Sequence, residues 1–91
     1  MKTINFKNVV IFGLGYVGLP LVVNAAKSGY KVIGFDIDLK KITQLKLGHS
    51  TTREIKQKDL IALQKAGKIN FTSSLPHLDE PSIFVMAVPT P

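Results

Sequence analysis

The apolar positions of this chain fall into short unbroken runs separated by longer stretches in which apolar and polar residues are mixed. Val9-Val10-Ile11-Phe12 is continuously apolar, which predicts a strand buried on both faces. Lys31 to Asp36 and Ile83 to Val88 predict two further strands, and Lys68-Ile69-Asn70-Phe71-Thr72 a fourth, short one. Between the first two lies an apolar and small-residue helix from Val17 to Lys27, with Pro20 near its start and Gly29 just past its end. After the second strand, Asp38 is placed to cap a helix through Lys40, Lys41, Ile42, Leu45 and Leu47 that stops at Gly48. In that helix Ile42 and Leu45 are three apart and share a stripe. His49 to Arg53 reads as a loop, and a third helix through Leu60, Ile61, Leu63 and Ala66 ends at Gly67. Pro76 and Pro81 interrupt any regular pattern between Ser73 and Pro81.

The order β-α-β-α-α-β-β predicts an α/β domain with a parallel sheet covered by helices. Four strands amount to the first half of a doubly wound sheet, with the expected strand order 3-2-1-4. The outer edge of the fourth strand is then bare, which invites a homo-oligomer built through that edge.

Gly13-Leu14-Gly15-Tyr16-Val17-Gly18 matches G-x-G-x-x-G. Such a hexapeptide says little alone, but here a buried strand precedes it and a helix follows, the context of a Rossmann dinucleotide site. Gly13 permits the tight turn, Gly15 lets the backbone approach a pyrophosphate, and Gly18 lets helix and strand pack closely. Amides at the helix start, near Tyr16 and Val17, can donate to that anion. Asp36 closes the second strand 18 residues after Gly18, near the spacing of about 20 at which an acidic residue accepts from the adenosine ribose. A 2′-phosphate would meet that negative charge, so NAD is expected over NADP. A turn carboxylate is the plainer role for Asp36, and Asp38 is better placed to cap. A methyltransferase holding S-adenosylmethionine also wants a carboxylate on a ribose. Gly18 and the Pro89-Thr90-Pro91 ending weigh against it.

Composition narrows the function further. The 91 residues carry a net charge of +6, but the lysines are scattered and no aromatic residues interleave with a basic run, so nucleic acid is not the expected partner. No apolar run reaches the roughly 18 residues of a membrane span, and the first residues lack a signal-peptide pattern, so the chain is read as the start of a cytoplasmic protein. There is no cysteine, hence no disulfide, thiolate metal site or cysteine nucleophile, and His49 and His77 lack metal-ligand spacing.

From Val9 to Pro91 the chain closely resembles the UDP-glucose/UDP-N-acetylhexosamine dehydrogenase family. The resembling residues are Gly13 to Leu21, Val32 to Asp38 and the ending Val88-Pro89-Thr90-Pro91, with Lys41-Ile42, Leu45, Gly48, Glu54 and Phe71-Thr72-Ser73 between them. The resemblance implies oxidation of a sugar C6 alcohol to a carboxylate with two NAD reduced. It implies pyrophosphate contacts from the Tyr16 and Val17 amides, Asp36 on the adenosine ribose, Lys41 near the same end, and Thr90 lining the crevice beyond the fourth strand. A solvated helix lysine stands beside this for Lys41 and a turn residue between prolines for Thr90, and Glu54 has no assigned task. Asn24 departs from the small or apolar residue usual there.

The family's cysteine nucleophile, catalytic lysine and sugar-nucleotide domain lie downstream of these positions. The expectation is therefore a partial NAD-binding domain over residues 1–91, with no catalytic residue of its own and a UDP-sugar, leaning to the N-acetylhexosamine branch, held by missing domains. A free-standing NAD(H)-sensing module is the alternative.

Overall fold

The computed structural model describes residues 8–50, 52, 54–74 and 82–87. Its elements are β1 (Asn8–Phe12), α1 (Gly18–Lys27), β2 (Lys31–Phe35), α2 (Leu39–Lys46), α3 (Gln57–Lys65), β3 (Ile69–Thr72) and β4 (Ser82–Met86). The strands form one parallel sheet in the order β3-β2-β1-β4. This is the α/β architecture and strand order expected from the alternation of runs. The elements differ from expectation only at their ends. Leu47 lies just outside α2 as its C-cap, and β2 stops at Phe35, leaving Asp36 beyond the strand.

Right-handed crossovers that step the same way along a parallel sheet, as from β1 to β2 to β3 here, lie on one side of it. Val9 and Ile11 of β1, Val32 of β2 and Ile69 and Phe71 of β3 accordingly join Leu19, Val22, Val23 and Ala26 of α1, Ile42 and Leu45 of α2 and Leu60 of α3 in one core. α1 and α2 end in turns whose following glycines, Gly29 and Gly48, have φ of 103° and 88°, the left-handed conformation that closes a helix. Each of the three helices carries a lysine in its last turn, where it complements the carbonyl end of the helix dipole. Lys27 also pairs with Asp59 across α1 and α3 at 3.7 Å, an exposed contact worth no more than about 1 kcal/mol.

Alternate residues of the strands point away from the helices. On that face Phe12 meets Phe35 edge-on at 5.4 Å and stacks near Phe84 at 6.0 Å. Val10, in the central strand, is wholly buried on this face, while Asn8 and Phe12 at the strand ends are half-buried. β4 is not: Phe84 and Met86 are 59% and 67% exposed. β4 pairs with β1 and with no second strand among the described residues.

Candidate functional site

The site is assembled where β1 and β2 end. Their register sets Phe12 beside Phe35, so the turn leaving β1 and the loop leaving β2 emerge together. Gly13 takes φ of 94° and donates its N–H to the Phe35 carbonyl at 2.8 Å. Few side chains tolerate that backbone angle. Leu14 follows with its side chain fully buried in the core, which pins the turn from below.

The turn then lifts into α1. The Leu19 N–H donates to the Gly15 carbonyl at 3.1 Å, so helical bonding begins there. Amides of Gly15, Tyr16, Val17 and Gly18 find no acceptor among the described residues. Val17, at the N-cap, has helical angles and makes no side-chain capping bond, and the first turn contains no acidic residue. Four donors without an acceptor among the described residues thus gather at the positive end of a helix, the arrangement that receives a phosphate group. The two later glycines of the turn have separate geometric duties. A Cβ on Gly18 would overlap the Gly13 carbonyl oxygen and crowd the Ala87 side chain at 3.3 Å. A Cβ on Gly15 would meet nothing within 4 Å, which leaves open space against the backbone where a pyrophosphate can approach. Tyr16 and Val17 themselves are 81% and 65% exposed; their backbone, not their side chains, faces the structural demand of the turn.

Asp36 stands beside this turn. Its Oδ2 accepts from the Leu14 N–H at 3.0 Å and its Oδ1 from the Asp38 N–H at 2.9 Å. Lys41 Nζ lies 3.5 Å from Oδ2, and both side chains are largely shielded from solvent. Burial works against the charged carboxylate. The two amides and the Lys41 ammonium outweigh it and hold Asp36 below the ordinary aspartate value of 3.8. Asp36 is thus an anion at neutral pH, fit to accept a ribose hydroxyl and to oppose a 2′-phosphate.

The structure brings Gly13, Gly15, Tyr16, Val17, Gly18, Asp36 and Lys41 to one end of the sheet. Thr90 lies outside the described residues. Sequence reasoning did not foresee that Asp36 would take the Leu14 amide, 22 residues away, because no local pattern marks a bond between two strand ends. Ile37, the next residue after Asp36, is 85% exposed. Glu54 is exposed and borders a small cleft of about 180 Å³ between α1 and α3, apart from the glycine turn. Among the described residues no group of three or more acidic or histidine side chains could hold a metal ion, and no helix is long and apolar enough to cross a membrane.

Comparison with known proteins agrees with this geometry. The chain is 41% identical over 83 residues to a UDP-N-acetyl-D-glucosamine 6-dehydrogenase of Pseudomonas aeruginosa, covering 91% of this chain and 19% of that one. It is 34% identical over 87 residues to a UDP-N-acetyl-D-mannosamine dehydrogenase of Pyrococcus horikoshii, covering 91% and 20%. In structure it superposes on the UDP-N-acetyl-mannosamine dehydrogenase Cap5O of Staphylococcus aureus with a TM-score of 0.78 at 31% identity, covering 92% of this chain and 20% of that one. The chain thus spans about a fifth of the length of the curated relatives it matches. Residues 7–91 match the NAD binding domain of the UDP-glucose/GDP-mannose dehydrogenase family, and the chain belongs to that family.

Proposed function

We propose that these residues hold NAD for a nucleotide-sugar dehydrogenase that oxidises the C6 alcohol of a UDP-sugar, a UDP-N-acetylhexosamine, to the uronate. The observation that carries the cofactor reading is the uncapped start of α1, with free amides from Gly15 to Gly18 beside a space that a Cβ at Gly15 would enter. The names of the relatives support the substrate class.

In this reading the amides of Gly15, Tyr16 and Val17 bind the pyrophosphate, with Gly13 and Gly18 shaping the turn that aims them. Asp36 accepts from the adenosine ribose, Lys41 lies at the same end, and Thr90 is proposed as a further cofactor contact. When bound, NAD supplies the hydride acceptor. The residues described orient it and exclude NADP by charge, and none of them is proposed as catalytic. A cysteine-free chain offers no thiolate for covalent attack on the sugar, so nucleophile and sugar recognition are assigned to the parts of the longer protein that the relatives possess. These 91 residues are accordingly proposed to be a partial dinucleotide domain, working in the cytoplasm, with association through the outer edge of β4 as the mode of self-contact.

The test is a titration of the chain with NAD, NADP and S-adenosylmethionine, read by amide chemical shifts. Shifts at Gly13 to Gly18, Asp36 and Thr90 with NAD alone are the expected result. A folded chain that answers S-adenosylmethionine and not NAD would overturn the reading.

A further inference from the structure

Asp36 is held by groups of the chain itself. An ionised carboxylate has about four lone-pair sites. The Leu14 amide and the Lys41 ammonium both approach Oδ2, and the Asp38 amide occupies one site of Oδ1. Three of the four are therefore engaged, which leaves a single site for a ribose hydroxyl unless Lys41 withdraws. A residue used only to recognise ribose would be expected to keep its acceptors free.

What the carboxylate holds is also specific. The Gly13 and Leu14 amides are the two donors of the turn with partners, and both partners come from the end of β2: the Phe35 carbonyl and Asp36 Oδ2. The four amides that follow find no acceptor among the described residues. The boundary between tied and open donors thus falls immediately after the bond to Asp36. The Asp38 amide in turn braces the carboxylate from its own side, so the tie is anchored at both ends.

We propose that Asp36 is a positioning residue for the phosphate-binding turn, its carboxylate setting the path of Gly13 to Gly18 before cofactor arrives. Ribose recognition and pyrophosphate recognition then share one group. The inference builds on the NAD reading above, but its first test needs no ligand.

Asp36→Asn keeps the shape and replaces one acceptor oxygen by an NH₂ donor, so it cannot accept from both the Leu14 and Asp38 amides. In the ligand-free chain, hydrogen exchange at the Leu14 amide should rise roughly tenfold, the equivalent of one lost charge-assisted bond, with shift changes spreading through Gly18. Lys41→Met, which removes the cation but not the acceptor, should leave Leu14 exchange within about twofold. Inorganic pyrophosphate gives the second reading, because it carries no ribose. Removing a negative charge beside an anion site relieves Coulomb repulsion and should by that alone tighten pyrophosphate binding. A positioning role predicts the opposite sign, weaker binding in Asp36→Asn than in the unaltered chain.

Should Asp36→Asn fail to fold, acid titration of the unaltered chain replaces it. The Leu14 and Asp38 amide shifts should then titrate together, with a shared midpoint below 3.8. Unchanged Leu14 exchange with equal or tighter pyrophosphate binding, or a Leu14 amide that ignores the carboxylate titration, would overturn the proposal even if NAD binds as expected.

Discussion

The starts of α1 and α2 lie beyond the ends of neighbouring parallel strands, and the chain treats them in opposite ways. At α2, Asp38 takes the extended backbone of an N-cap and its Oδ1 accepts from the Lys40 and Lys41 amides at 3.0 and 3.3 Å. At α1, Val17 offers no capping group, and the open amides begin at a glycine turn. An N-cap of this kind is worth about 1 kcal/mol to a helix. α3 also starts without a side-chain cap but carries Asp59 in its first turn, whereas α1 has neither, and the function proposed above gives the capping of α1 to an outside anion. The same contrast separates the two aspartates between these helices. Asp38 satisfies its own helix, whereas Asp36 reaches across to the turn that precedes α1.

The largest effect is expected from Gly18→Ala, because the added methyl runs into the Gly13 backbone, which cannot move aside as a side chain tip would. A loss of about 3 kcal/mol is expected from such overpacking, a large part of what a chain this size has, and urea unfolding measures it. Gly15→Ala breaks the comparison differently. It meets open space, so stability should hold within about 1 kcal/mol while NAD affinity falls about tenfold or more. Equal destabilisation by both changes would show that the turn does not divide its duties between fold and ligand.

Val17→Asp gives α1 the acid that α2 has. It should cut NAD affinity by about tenfold while the thermal midpoint stays level or rises, since an acid suits a helix start but repels pyrophosphate. Because Val17 has helical rather than extended angles, the stabilising part should be smaller than a full cap. Retained NAD binding in this variant, measured calorimetrically, would remove α1 as the phosphate site. Asp38→Ala is the converse: about 1 kcal/mol less stability in denaturant, with NAD affinity changed by less than about twofold.

The smallest effect concerns pH. Because the folded state lowers the Asp36 pKa, its stabilisation is present in full above the ordinary value of 3.8 and fades as pH falls through the lower folded value. The stability gap between the unaltered chain and Asp36→Asn should therefore be constant near neutrality and shrink only below that value. A gap that already narrows near neutral pH would mean that the carboxylate is not held by the Leu14 and Asp38 amides.

Some of this was readable along the chain because the signals are local. Asp38 ahead of an apolar stripe specifies a cap through bonds two and three residues away. Gly29 and Gly48 mark helix ends through their own backbone angle. Unbroken apolar runs joined by helices imply a parallel sheet, and right-handed crossovers then leave few strand orders to choose from. The glycine spacing and Asp36 likewise announce a dinucleotide turn, since each meets a requirement stated by its immediate neighbours.

Other features depended on which strand ends meet. The register of β1 against β2 sets the Leu14 amide within reach of Asp36, and the rotation of α2 swings Lys41 toward the same oxygen. The apolar runs of β1 and β4 look alike in sequence. Only the sheet order makes one central and enclosed while the other is an edge with Phe84 and Met86 in solvent. The sequence by itself determined the elements, their order and the phosphate-binding turn, because those follow from contacts within a few residues. The tertiary structure alone decided what Asp36 holds and which apolar face stays open, because both depend on distances between segments that the chain separates and only the sheet brings together.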